Sequence, residues 1–214
     1  MKVSQIYRKY QLMSSLQAHM FRVATVASEI CDNFRKPIDK DSVIAATLLH
    51  DIGNMVKIKL EAFPEFLKPR GLEYWKKIQE NFIRKYGKDD YQATYKILKE
   101  IGVNQKVYRL IKSIEFRKAP LNVGHSNFEK KICLYADLRV APMGITSLDA
   151  RLREVKDRYM RNKGVSEKEF NILSLSMRTI EKQIFAHSRI KPEDITEEKV
   201  GHLIEKLRSL DLSN

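Results

Sequence analysis

The stretch Val43-Ile44-Ala45-Ala46-Thr47-Leu48-Leu49-His50-Asp51-Ile52-Gly53-Asn54 sets two metal-capable side chains next to each other at the end of an apolar run. An ionised carboxylate moved into apolar surroundings is expensive unless it is paired or coordinates a cation, so a buried ion-binding pair is the simplest reason for the arrangement. Neighbouring positions on a helix point about 100° apart. His50 and Asp51 therefore cannot complete a site alone, and the remaining ligands must come from other helices.

Working outward, apolar residues recur at helical spacing almost everywhere, and no run of alternating strands and turns stands out. The expected fold is all-α. Upstream, Ser14 is placed to cap a helix whose stripe is Leu16, Met20, Val23, Ala27, Ile30 and Phe34 and which ends before Pro37, with His19 just beside the stripe. The helix of the doublet should begin near Asp39 or Asp41 and carry His50-Asp51 toward its C-terminal end, with Gly53 allowing close backbone approach or an early stop. Downstream, Pro64, Pro69 and Gly71 mark residues 61–71 as a loop or short turn. Helices are then expected over 72–86, stopped by Gly87, over 90–101, stopped by Gly102, and from Asn104 to about Phe116. Residues 118–126 read as a loop, and Asn127 as the cap of a helix in which Asp137 is the one acid among Ile132, Leu134, Tyr135 and Leu138. Ser147 and the Ser166-Glu169 capping box start two more helices, and residues 196–210 look like a terminal one.

Composition narrows the function classes. With 214 residues, 43% hydrophobic and 31% charged, the chain is an ordinary globular protein rather than a disordered one. A formal charge of +13 favours a phosphate-bearing partner, such as a phosphorylated small molecule or nucleotide, a nucleic acid or an anionic membrane surface. Cys31 and Cys133 both fall in apolar helical patterns and form no disulfide framework, which suits a reducing cytoplasm and two small buried hydrophobes. The first residues carry no apolar core of signal-sequence length, and no window approaches the roughly 18 apolar residues of a membrane span. A soluble, cytoplasmic protein without a membrane partner is expected.

Three isolated polar groups on apolar helical stretches, His19, His50-Asp51 and Asp137, are the candidate ligands. Two imidazoles with two carboxylates suit one divalent ion, Mn, Fe, Co, Ni, Zn or Mg. Taken singly, His19 also reads as a satisfied helix histidine, and Asp137 as a partner of Arg139 or Arg22.

Here the chain resembles the HD-domain superfamily of metal-dependent phosphohydrolases, whose pattern is a His, then a His-Asp doublet, then a distant Asp on a later helix. The matching stretches are Leu16-Gln17-Ala18-His19-Met20-Phe21-Arg22-Val23-Ala24, Leu48-Leu49-His50-Asp51-Ile52-Gly53 and Lys131-Ile132-Cys133-Leu134-Tyr135-Ala136-Asp137-Leu138-Arg139. The resemblance covers about residues 14–140. It implies an HD-type helical bundle over 1–140 with residues 141–214 as an additional C-terminal helical extension packed on it. It implies that His19, His50, Asp51 and Asp137 hold one divalent metal, and that a metal-bound hydroxide hydrolyses a phosphomonoester or nucleotide. Such an ion lowers the pKa of bound water from about 15.7 toward about 7.

The chain also departs from the family. Two-metal members carry two more histidines between the doublet and the last Asp, whereas this region offers Tyr91 in Asp90-Tyr91-Gln92-Ala93-Thr94 and later Ile114-Glu115-Phe116. Where many members place an acid or Lys three residues after the doublet, this chain has Asn54, which orients a water or phosphate but cannot act as a general acid. Lys57, one turn on, is the nearest substitute. Asp51, Asn54 and Lys57 are thus the candidate catalytic residues. Arg22, one turn after His19, is a candidate phosphate contact or a structural ion pair, and Arg139 serves the pocket wall or an ion pair. The alternative function is a non-catalytic regulatory module on the same fold that binds metal and nucleotide or RNA. The basic run from Arg151 to Lys163 reads as a solvated face with ion pairs or as a polyphosphate or RNA contact, with 151, 158 and 161 sharing much of one helix face.

Overall fold

The computed structural model describes residues 1–212, and the side chains of Asn162 and Lys163, the end of the basic run, lie outside the described residues. The chain forms helices α1 (Val3–Lys9), α2 (Ser14–Asp32), α3 (Lys40–Leu49), α4 (Leu72–Tyr86), α5 (Asp90–Ile101), α6 (Gln105–Ile111), α7 (Ala119–Gly124) and α8 (Phe128–Asp137). A small antiparallel hairpin, β1 (Val140–Ala141) and β2 (Gly144–Ile145), then leads to α9 (Leu148–Lys163), α10 (Glu167–Phe185), α11 (Glu197–Val200) and α12 (Leu203–Arg208). The fold is all-α apart from that hairpin. Among the described residues no helix is long and apolar enough to cross a membrane.

Helix α2 is the spine. The stripe Leu16, Met20, Val23, Ala27, Ile30 and Phe34 is buried, and so are Phe21, Ala24, Val26 and Cys31 on the helix's other faces. The extra burial comes from two directions: α3 and α8 pack on one side, while α11, α12 and the hairpin cover the other. Arg208 of α12 lies over the Phe21 ring at 4.8 Å. Arg22 donates from Nε to Glu197 Oε1 at 2.7 Å, and Glu197 Oε2 accepts from the Ile145 amide at 3.1 Å. Helix α3 is buried from Val43 to Leu49 except at Ala45, so nearly its whole circumference is apolar.

Most boundaries follow local chemistry. Asp39, Asn104, Asn127 and Ser147 accept N-terminal amides of their helices, and the Ser166-Glu169 capping box starts α10. Gly102 ends α5 in the left-handed region, φ 78°.

Several expectations are corrected. Met13, not Ser14, occupies the cap position of α2, and Ser14 is the first helical residue. Helix α3 stops at Leu49, so the doublet lies just past its end and opens a 3-10 turn, Ile52–Val56. Helix α6 ends at Ile111, and a 3-10 turn, Phe116–Lys118, lies where it was expected to run on. The supposed loop 118–126 contains α7; Pro120 sits in its first turn, where no amide donor is needed. The terminal helix is broken into α11 and α12. The loop or short turn expected over 61–71 agrees with the structure, which has short 3-10 turns at Leu60–Ala62 and Pro64–Leu67.

Candidate metal centre

The side chains meet where three elements converge. His19 comes from the second turn of α2, Asp137 is the last residue of α8, and His50 with Asp51 caps α3 and begins the next turn. Because α2 packs on both α3 and α8, residues 118 positions apart in sequence touch: His19 Nε2 lies 3.2 Å from Asp137 Oδ1. His50 Nε2 lies 3.3 Å from the same oxygen. Asp51 Oδ2 stands 3.6 Å from His19 Nε2 and 3.7 Å from His50 Nε2. One ligand atom each from His19, His50 and Asp51 falls within 4.8 Å of the others, a grouping able to hold a metal ion.

The His50 ring is oriented from behind. Its Nδ1 lies 2.8 Å from the Thr47 carbonyl, which can only accept, so Nδ1 carries the hydrogen and, in the neutral ring, Nε2 keeps its lone pair toward the cluster. The side chain is only 2% exposed, against 19% for His19, 26% for Asp51 and 28% for Asp137. Such a grouping calls for positive charge. Burial opposes a charged His50, yet the carboxylate of Asp51 and the hydrogen bond that the protonated ring donates to Asp137 outweigh it and raise its pKa to about 9. For Asp137, burial also favours the neutral acid, but the bonds to His19 and His50 hold its carboxyl well below the usual carboxylate range. The donor set, two imidazole nitrogens and carboxylate oxygens pointing at one place, fits a borderline divalent ion.

Gly53 sets the doublet's position. A Cβ there would come within 2.3 Å of the Thr94 amide nitrogen and 2.6 Å of the Asp90 carbonyl oxygen, so only glycine lets the turn lie against the start of α5. The Gly53 amide donates to Thr94 Oγ1 at 3.1 Å.

The other sequence candidates are placed differently. Asn54 is half-buried in the same turn, and its side chain makes no hydrogen bond among the described residues. Lys57 is paired with Asp90 and its ammonium lies 5.9 Å from the centre of the Tyr91 ring. Arg22 is held by Glu197. Arg139 is buried and not brought to the cluster: it donates to the Tyr135 hydroxyl at 2.6 Å and to the carbonyls of Thr146, Pro192 and Ile195.

Two tyrosines complete the surroundings. Burial first, then the charges of Glu115, Asp90 and Asp51 among others, push the Tyr91 hydroxyl well above its ordinary pKa. Tyr159 of α9 is raised to about 12 by burial and by Asp137, with Arg158 and Arg151 acting in the opposite sense. Both phenols stay protonated at neutral pH. Tyr91 stands in the region where two-metal members of the superfamily carry histidine. Tyr159 was missed, although Leu152, Val155 and Tyr159 share an inward-facing helical spacing and the first two are buried.

The family model of the HD domain matches residues 16–137, from the turn before His19 to Asp137 itself. No curated protein and no solved structure matches the chain significantly. The match spans more than half of the chain and ends on the last residue of the cluster, so the protein belongs to the HD domain family.

Proposed function

We propose that this protein is a phosphohydrolase that uses one divalent metal ion, held by His19, His50, Asp51 and Asp137, to hydrolyse a phosphomonoester or nucleotide. The HD domain family includes many hydrolases, and its members typically bind divalent metals. The observation that carries the reading is the convergence of both imidazole Nε2 atoms on Asp51 and Asp137 from separate elements.

Bound there, the ion would supply Lewis acidity toward the phosphoryl group and an acidified water. The chain does the rest. Thr47 fixes the tautomer of His50, and Asp51 takes up a proton from the attacking water. Tyr91 and Tyr159, protonated at neutral pH, are hydrogen-bond donors for phosphoryl or leaving-group oxygens. Asn54, whose amide makes no hydrogen bond among the described residues, orients a water or phosphate in the same turn. Lys57 is a lesser candidate because Asp90 holds it.

The test is elemental mass spectrometry of wild type beside Asp51→Ala after dialysis, followed by phosphate release from p-nitrophenyl phosphate and nucleoside monophosphates with each metal. Near one equivalent of metal and turnover in wild type, both lost in the variant, is the expected result. Activity persisting in Asp51→Ala with unchanged metal content would overturn it.

A second reading, a binding module that holds nucleotide or RNA without turnover, is favoured by Asn54 in place of a proton donor and by the pairing of Lys57 with Asp90. It requires saturable, salt-sensitive binding and no phosphate release with any metal.

A further inference from the structure

A cleft of about 490 Å³ opens between the chain just after Lys57 and one face of α9, lined by Lys59, Glu154, Asp157, Arg158 and Arg161. Its charges are not all satisfied. Glu154 is paired with Arg151, and Asp157 with Arg161 at 3.0 Å, whereas Lys59 and Arg158 have no carboxylate partner among the described residues. With Glu154 and Asp157 taken up by Arg151 and Arg161, the charges of Lys59 and Arg158 are left to an anion entering the cleft. A planar guanidinium beside an ammonium suits the oxygens of a phosphate group, the fork taking two of them and the ammonium a third.

The cleft and the metal-ligand cluster are linked through two tyrosines. On the α9 wall, Tyr159 directly follows Arg158, and its hydroxyl feels both Arg158 and Asp137. On the other wall, Lys57, two residues before Lys59, lies over the Tyr91 ring, and Tyr91 feels Asp51. Each wall thus stands within two residues in sequence of a side chain that is, or lies over, one of these tyrosines. The α9 wall lies outside residues 16–137, so it is a feature of this chain beyond the matched domain.

We propose that this cleft is a second phosphate-binding subsite, built by Lys59, Arg158 and Arg161, that selects a substrate carrying a chain of phosphate groups, such as a nucleoside polyphosphate. This rests on the phosphohydrolase reading, and names its substrate class: the phosphoryl group at the cluster is cleaved while a phosphate further along the chain is held in the cleft. Of the basic run on α9, Arg158 and Arg161 serve the cleft, whereas Arg151 is buried and turned to Glu154.

The test is titration calorimetry of the full chain with inorganic tripolyphosphate and with orthophosphate, at fixed ionic strength and constant free divalent metal. Three variants are compared: Arg158→Ala/Arg161→Ala in the cleft, Lys59→Ala on its other wall, and Arg153→Ala/Lys156→Ala, which removes the same charge from α9 outside the cleft. Circular dichroism checks that each is folded, and the single Lys59→Ala keeps the test open if the arginine pair is not. The expected result is a tenfold or greater rise in the tripolyphosphate Kd for the arginine pair, threefold or more for Lys59→Ala, and less than twofold for the control pair. Equal weakening in cleft and control variants, no weakening at all, or an orthophosphate Kd that rises as much as the tripolyphosphate Kd overturns the proposal. A wild type that releases no phosphate yet binds tripolyphosphate through the cleft residues refutes the hydrolase and leaves the subsite standing.

Discussion

Gly53 and Thr94 lie so close that a methyl group on Gly53 would meet the Thr94 amide nitrogen at 2.3 Å and its hydroxyl oxygen at 2.5 Å. The obstacle is mainly backbone, which cannot swing aside as a long side chain would. Gly53→Ala therefore pushes the turn away from α5 and carries Asp51 with it. We expect a loss of about 3 kcal/mol, at the upper end of overpacking costs, read as a lowered urea midpoint. Metal retention after dialysis should fall in the same variant. An unchanged midpoint with full metal content would show that the contact does not position the doublet.

The pKa of His50 supplies a pH signature for the metal-free protein. It is raised from 6.5 to about 9 in the fold, so the protonated ring contributes stability that is fully present below pH 6.5 and lost as pH rises through about 9. The thermal midpoint of apo protein should decline across that window, and His50→Gln should flatten the decline. Since ion and proton compete for the same nitrogen, a divalent metal should bind more tightly as pH rises from 6.5 to 9.

Arg139 predicts a structural phenotype rather than a catalytic one. Its guanidinium serves the Tyr135 hydroxyl and the carbonyls of Thr146, Pro192 and Ile195, and so ties the segment leading to α11 onto α8 and the hairpin. Truncation leaves several buried acceptors without donors at once. Arg139→Ala should cost about 3 kcal/mol or more, because each orphaned group carries its own desolvation penalty. Limited proteolysis should then cut first between residues 189 and 202. Arg139→Lys should recover little, one ammonium being unable to span four acceptors.

Asp39 gives an acid-range test. Bonds from Lys106 and from the Ser42 amide bring its pKa from 3.8 down to about 2. The depressed value means that its contribution is present above pH 3.8 and is lost as pH falls toward 2. As an N-cap, Asp39→Ala should cost about 1 kcal/mol at neutral pH. Denaturation curves of wild type and variant should converge by pH 2; a constant gap would show that the carboxylate charge is not what stabilises α3.

How far the sequence could be read depended on whether a feature was local. Residues 72–86 and 90–101 are bounded by glycines and carry strong apolar periodicity, and both helices run as the pattern predicts. The polar residues His19, His50, Asp51 and Asp137 stood out because each interrupts an apolar surface, and the fold brings them together. Helix α1 was hidden because seven residues do not hold a helix alone; its support comes from far along the chain, including the bond from the Val3 amide to the Leu210 carbonyl and the Tyr7 hydroxyl on the Leu48 carbonyl. The partners of Arg22 and Arg139 were invisible for the same reason, since Glu197, Pro192 and Ile195 are remote in sequence. Tyr159 was overlooked because the surrounding charges of α9 masked a short inward-facing pattern.

The cover that α11 and α12 lay over α2 also sets an order of events during synthesis. A ribosome has made His19, His50, Asp51 and Asp137 well before it reaches Glu197 and Arg208, so the nascent chain holds every cluster residue before Arg208 covers its side of the Phe21 ring. Until α11 and α12 emerge, α2 lacks part of its cover, and that partly covered chain is the form most in need of a chaperone.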